Sequence, residues 1–127
     1  MPSFNHTVNL LVIGDFGYLK TEEKIEHVAE QMAALVEQDG PVYEHILTVG
    51  DNLYPNGIEN MNDLSTMEQV LSYFDVDGLK QLPFKPTLGN HDCFIDYQNE
   101  ISYSQKNRDW QFPNDFYELS YPLKDNP

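Results

Sequence analysis

The stretch from Val8 to Asp15 reads VNLLVIGD, a short apolar run that ends in a glycine and a polar residue. The same arrangement returns as HILTVGD from His45 and, less regularly, as FKPTLGN from Phe84. Short apolar runs bounded by turn residues are typical of buried strands in parallel sheets. The three predicted strands are Val8–Ile13, His45–Val49 and Phe84–Leu88.

Two helical patterns lie between these strands. Apolar residues recur at three- and four-residue steps from Ile25 to Val36 and again from Leu64 to Phe74, which is the spacing of one face of a helix. Thr21 is the predicted N-cap of the first helix, and Gly40-Pro41 ends it. The order strand, helix, strand, helix, strand predicts an α/β fold with a parallel sheet.

The composition limits the partners that this chain can have. Its 127 residues carry a formal net charge of −14, so it lacks the positive face that nucleic acid or an anionic membrane requires, and we expect neither as a partner. No apolar run reaches the roughly 18 residues of a membrane span. Residues 1–9 lack the basic and apolar regions of a signal peptide. The single cysteine, Cys93, cannot form an internal disulfide.

Each predicted strand ends in a polar turn, and the three turns are GDFG from Gly14, GDNLY from Gly50 and GNHD from Gly89. One such turn is most often a plain turn or a helix N-cap. Ligand sites in α/β sheets form outside the carboxyl ends of parallel strands, and neighbouring strands lie about 4.8 Å apart. Carboxylate, amide and imidazole groups are ligands that iron, manganese, zinc or magnesium accept. Three turns in series therefore indicate a metal site.

The three turns resemble the first three of the five motifs of calcineurin-like metallophosphoesterases. Tyr54, in the second turn, narrows the resemblance to the purple acid phosphatases of the tartrate-resistant type. The aromatic-rich tail after Phe94, with Tyr103-Ser104, Trp110 and Phe112-Pro113, is similar to the segment that follows the third motif in that group. The resemblance implies the N-terminal half of the metallophosphoesterase α/β sandwich. Within this tail Phe116–Tyr121 alternates as a further strand would.

The resemblance also implies a binuclear metal centre, with iron and a second divalent ion that is iron, zinc or manganese. Asp15 and Tyr54 would bind the ferric ion, and Asp51 would bridge the two ions. Asn90 would bind the divalent ion. In that family a tyrosinate ligand to ferric iron gives the protein its colour.

Two further residues of the third turn are implied to act in catalysis. His91 would lie outside the ligand set and contact the phosphate or the leaving group. Asp92 would orient His91, because a carboxylate beside an imidazole fixes its tautomer and raises its pKa.

The sequence also departs from the family pattern. The fourth and fifth motifs supply three more histidine ligands, and this sequence does not contain them; His6, His27 and His45 do not have the family spacing, and we expect His27 and His45 at the surface or the core edge. Residues 1–127 are therefore predicted to be a partial domain that lacks the C-terminal half, with an apolar edge or face of its sheet exposed. Cys93 stands where these phosphatases usually have another histidine, and we expect a partly buried thiol there.

Two function hypotheses follow. The first is metal-dependent hydrolysis of phosphate monoesters, completed by residues beyond this chain. The alternative is a non-catalytic structural or interaction subunit derived from a phosphatase half-domain. A protein partner or a second fragment would complete the fold in either case. Relatives are often secreted or lysosomal, and the sequence leaves the localisation of this chain open.

Overall fold

The structure is a computed structural model, and it describes residues 7–122. His6 and most of residues 1–9, on which the signal-peptide expectation rests, lie outside that range. Six helices and strands follow one another along the described chain. They are β1 (Asn9–Ile13), α1 (Glu22–Asp39), β2 (Tyr43–Thr48), α2 (Ser65–Ser72), β3 (Phe84–Lys85) and α3 (Gln98–Tyr103).

The three strands form one parallel sheet in the order β1-β2-β3. In its register Leu11 lies opposite Ile46, and Ile46 lies opposite Phe84. The predicted α/β fold with a parallel sheet is confirmed. Strand β3 is shorter than predicted because Pro86 follows it directly, and proline has no N–H to donate to the ladder.

Helix α1 begins where the sequence predicts, but its N-cap works differently. Thr21 occupies the N-cap position without capping the helix through its side chain. Its hydroxyl instead donates backwards to the carbonyl of Tyr18 over 2.8 Å. Glu22 and Glu23 lie in the first turn, where their charge favours the positive end of the helix dipole.

Aromatic residues fill the core beside the sheet. The Phe84 ring meets Phe74 edge-on at 5.4 Å between centroids and lies 5.7 Å from the Trp110 ring. The tail is held against the edge strand β3, because the Phe84 N–H donates to the Asp109 carbonyl and the Gln111 N–H donates to the Phe84 carbonyl. Phe84 and Trp110 thereby form an isolated parallel bridge.

Several details differ from the sequence predictions. No strand forms at Phe116–Tyr121, and Phe116 is 79% exposed, so that prediction is wrong. Helix α3 was not predicted. His27 is exposed, whereas His45 is buried on β2 with its Nε2 atom against the Tyr121 hydroxyl.

Part of the apolar surface is uncovered, as expected for a sheet of three strands. Val12 on β1 is 57% exposed, and Val49, directly after β2, is 60% exposed. Among residues 7–122 no helix is long and apolar enough to cross a membrane.

Candidate functional site

The first two polar turns meet at the carboxyl ends of β1 and β2. The Val49 N–H donates to the Ile13 carbonyl over 2.9 Å, and the Asp15 N–H donates to the Gly50 carbonyl over 3.1 Å. Asp15 and Asp51 both have a left-handed backbone, with φ of 53° and 50°. That conformation costs an ordinary L-residue about 1–2 kcal/mol. Strain of this kind concentrates at functional sites.

Glycines allow the three turns to approach one another closely. A β-carbon at Gly17 would overlap the backbone of Asn52, in the second turn. A β-carbon at Gly89, in the third turn, would overlap the carboxylate and the backbone nitrogen of Asp51. The glycines that the sequence places in these turns are therefore required for packing turn against turn.

Tyr54 lies between the two aspartates. Its hydroxyl is 2.5 Å from Asp15 Oδ1 and 3.1 Å from Asp51 Oδ2. The pKa of the Tyr54 hydroxyl is raised well above its usual range, first by the hydrogen bond to Asp15, then by burial and by the hydrogen bond to Asp51. We call Asp15, Asp51 and Tyr54 the surface cluster. One hydroxyl proton serves two carboxylates in it, so most of their acceptor capacity stays open.

The surface cluster fits part of a metal site. Three oxygen donors of two aspartates and a phenol converge, a set that suits hard or borderline cations. Within residues 7–122, however, no group of three or more His, Cys, Asp or Glu side chains is placed to hold a metal ion. A structural site needs four ligands, and a catalytic zinc site typically has three protein ligands and a water. The three oxygens are therefore fewer than a complete ligand set requires.

His91 adjoins the surface cluster. Its backbone N–H donates to Asp51 Oδ1 over 3.0 Å, and its ring lies 4.4 Å from the Tyr54 ring. The Nδ1 atom is 2.6 Å from the Pro55 carbonyl oxygen. A carbonyl only accepts, so Nδ1 carries the proton and Nε2 is left as the atom that can act on a ligand. Asn90, the residue before it, is exposed, and its side chain forms no hydrogen bond with the surface cluster.

Asp92 does not orient His91, and that prediction is wrong for this structure. Its carboxylate is fully buried and accepts backbone N–H groups from Asn52 at 2.9 Å, Leu53 at 3.1 Å and Gly89 at 2.7 Å. The carboxylate turns inward because three otherwise unpaired buried N–H groups converge on it. Asp92 thus ties the second turn to the third.

Sequence reasoning missed Glu100, which lies fully buried behind Asp92. It sits on the short helix α3, and a lone glutamate in a polar stretch gives no signal of burial. Cys93, expected to be partly buried, is exposed.

Comparison with known proteins places this arrangement among phosphoesterases. The sequence matches the calcineurin-like phosphoesterase family over residues 8–125. It is 30% identical to tartrate-resistant acid phosphatase type 5 of Oryctolagus cuniculus, over 92% of this chain and 37% of that protein. The human protein of the same name is 29% identical, over 91% of this chain and 36% of that protein.

A plant relative gives a similar result. Purple acid phosphatase 7 of Arabidopsis thaliana is 30% identical over 84% of this chain and 31% of that protein. The chain thus spans about a third of the length of these relatives.

Proposed function

The chain belongs to the calcineurin-like phosphoesterase family, and from that premise we propose that it supplies part of a two-metal site for the hydrolysis of phosphate monoesters, as in acid phosphatases. In this proposal Asp15 and Tyr54 would bind iron, Asn90 would bind a second, divalent ion of iron, zinc or manganese, and Asp51 would serve both ions. Residues beyond this chain complete the ligand set and the domain.

The observation that carries the proposal is the position of the Tyr54 hydroxyl between Asp15 and Asp51. Two carboxylates and a phenol converge on one exposed point, at two strand ends whose backbone is strained. A chain that kept these residues only for solubility would gain nothing from the strain. A cation would bind all three oxygens and would favour the ionised form of Tyr54.

In the proposed hydrolysis, the metal ions and a few side chains would have separate roles. Two bound ions supply Lewis acidity and a water of lowered pKa. Asp15, Asp51 and Tyr54 would hold the ions, and His91, when protonated at both ring nitrogens, would donate its Nε2 proton to the phosphate or to the leaving-group oxygen while Nδ1 stays bonded to the Pro55 carbonyl. Asp92 fixes the turns that carry Asp51 and Asn90. With a net charge of −14, the chain repels an anionic substrate at long range, so local positive charge must attract it.

The alternative of a non-catalytic interaction subunit draws on two observations. The described residues offer no cluster of three conventional metal-binding side chains, and the apolar side chains of Val12 and Val49 are exposed. A half-domain packed on another protein would bury the two valines and would need no metal. The strain at Asp15 and Asp51 remains unexplained on this reading, and we therefore prefer the first.

Metal binding gives the first test. The purified chain is titrated with Fe³⁺ while visible absorbance is recorded, and Tyr54→Phe serves as the matched control because it removes one hydroxyl. The proposal expects a visible tyrosinate band in the native chain and none in the variant. A visible band of equal intensity in the native chain and in the variant would refute Tyr54 as an iron ligand.

Hydrolysis needs a separate test, because the ligand set is partial. The chain is joined to the part of the human tartrate-resistant phosphatase that lies beyond the matched region, and release of phosphate from p-nitrophenyl phosphate is measured. Turnover that disappears on Asp51→Asn supports the proposed role. A folded, metal-loaded chimera without turnover would favour the interaction subunit.

A further inference from the structure

Three polar residues lie buried directly behind the surface cluster. Asn52, Asp92 and Glu100 are 1%, 0% and 0% exposed. The Glu100 carboxyl group lies close enough to the Asp92 carboxyl group for the two to affect each other's ionisation, and it adjoins the Asn52 side chain. We call these three residues the buried trio. Fully buried acidic residues are rare unless they are paired, so the pair requires an explanation.

Within the buried trio Asp92 is well satisfied. It accepts three backbone N–H groups, two from the turn after β2 and one from the turn after β3. Hydrogen bonds to the charged form favour ionisation of a carboxyl group. Burial raises the pKa of Asp92, and the three N–H groups oppose that shift. Asp92 is therefore the member of the pair whose oxygens are held by donors.

Glu100 has the opposite surroundings. Neither of its oxygens, nor Asn52 Oδ1, has a partner at hydrogen-bonding geometry among the residues that the structure describes. Burial and the charge of Asp92 outweigh the nearby Asn52 side chain, which lowers the pKa of Glu100. Two adjacent buried carboxylates cannot both stay ionised, so one of them binds a proton. Burial, and next the charge of Asp92, raise the pKa of Glu100 to about 9. The proton therefore resides on Glu100, and it supplies the donor that the contact with Asp92 lacks.

The backbone around Glu100 is held in place. Trp110 is fully buried, and its Nε1–H donates to the Glu100 carbonyl oxygen over 3.0 Å. The neighbouring Asn99 side chain donates to the Ile58 carbonyl over 2.8 Å. Helix α3 is thus fixed to the segment that follows the second turn and to the aromatic tail. A side chain on so firmly held a helix can position its partner.

We propose that Glu100 is a positioning residue: as a neutral acid it donates a hydrogen bond to the Asp92 carboxylate and, through Asp92, fixes the two turns that carry Asp51, Tyr54 and Asn90. The proposal rests on the proposed function only for the role of those turns. The hydrogen bond itself is a property of the metal-free chain.

The test is amide hydrogen exchange by NMR in the metal-free 127-residue chain, native and with Glu100→Gln or Glu100→Met. Glutamine keeps the size and a donor, whereas methionine keeps the length and removes the donor. Exchange at the amides of Asn52, Leu53 and Gly89 should stay within about threefold of native in the glutamine variant. In the methionine variant it should accelerate at least about tenfold, because Asp92 loses a hydrogen bond made to a charged group.

The amide of Ile46, which donates to the Pro83 carbonyl, is the internal reference for global unfolding. A glutamine variant that exchanges as fast as the methionine variant would overturn the proposal, because an ionised carboxylate would then be needed. A methionine variant equal to native would also overturn it, and so would equal acceleration at Ile46. If the methionine variant does not fold, the glutamine variant decides alone: native-like protection supports the proposal and tenfold faster exchange rejects it. No metal is added, so a failed metal site would leave this result unaffected.

Discussion

The surface cluster and the buried trio contain the same kinds of groups, but the chain treats them differently. In the surface cluster two carboxylates share one hydroxyl donor, and the backbone is strained. In the buried trio a single carboxylate receives three backbone N–H groups. The comparison teaches that the carboxylate that ties the turns together, Asp92, is surrounded by N–H donors, whereas the more exposed carboxylates of Asp15 and Asp51 share one hydroxyl. We refer to the surface cluster and the buried trio as the two layers. Mutations in the buried trio should mainly lower stability, and mutations in the surface cluster should mainly weaken ligand binding.

The largest effect should come from the buried trio. Asp92→Ala leaves the N–H groups of Asn52, Leu53 and Gly89 without an acceptor, so we expect the free energy of unfolding to fall by at least about 3 kcal/mol. Urea denaturation followed by the fluorescence of Trp110, the single tryptophan, measures it. Asp92→Asn keeps the volume and one acceptor oxygen and should lose less. An unchanged urea midpoint for the alanine variant would contradict the conclusion that Asp92 holds the turns together.

In the surface cluster a change should affect ligand binding far more than stability. Asp51→Asn keeps an acceptor for the His91 N–H, and asparagine tolerates a left-handed backbone, so we expect unfolding to change by less than about 1 kcal/mol. Metal affinity measured by calorimetry should fall at least about a hundredfold. Asp115→Asn, at an exposed carboxylate outside the site, is the control. Equal affinities in the two variants would remove Asp51 from the ligand set.

A smaller effect should come from the pH dependence of stability that Glu100, in the buried trio, contributes. The pKa of Glu100 is raised from its ordinary value of 4.5 to about 9 by burial and by facing Asp92, with Asp51 further away. The folded chain thus binds more protons between those values, so the stability contributed by Glu100 is full below pH 4.5 and is lost as the pH rises through 9.

We expect the native chain to lose at least about 1 kcal/mol more than Glu100→Gln between pH 6 and pH 9, since the neutral amide does not titrate. Urea denaturation at several pH values measures the difference. Parallel curves for the two proteins would mean that Glu100 is ionised throughout.

The smallest effect provides the baseline. Lys80 and Asp77, three residues apart, form an exposed ion pair of 3.0 Å, and neither residue belongs to the surface cluster or to the buried trio. Exposed pairs of this kind contribute little, because water and salt screen them. Lys80→Ala should leave the urea midpoint within measurement error. A clear shift there would mean that the surface charges of this acidic chain are coupled, and the other effects would then need correction for it.

Sequence reasoning succeeded where one local pattern carries the information. The parallel sheet followed from apolar runs that end in glycine and a polar residue, and the structure brings Asp15, Asp51 and Tyr54 together at those strand ends. The length of β3 was overestimated, because the apolar run continues through Pro86 while the hydrogen-bond ladder does not.

The directions in which side chains point, and which polar side chains are buried, could not be predicted from the sequence. Asp92 is adjacent to His91 in sequence, but two of its three backbone N–H partners, Asn52 and Leu53, lie 40 and 39 positions away, and no local spacing encodes those two. Glu100 was missed for the same reason, because the contacts that bury it come from the turn after β2 and from the tail. The role of Asn90 as a ligand and the extent of the domain remain predictions.

The bridge between Phe84 and Trp110 also determines which edge of the sheet is available for pairing with another strand. The aromatic tail occupies the outer edge of β3, whereas β1, at the opposite end of the strand order, has no further neighbour in the described part of the chain. Of the two outer edges of the described sheet, the one beside β1 is therefore open to pairing with a further strand. Extension there would proceed away from the tail and alongside the strand that leads to Asp15.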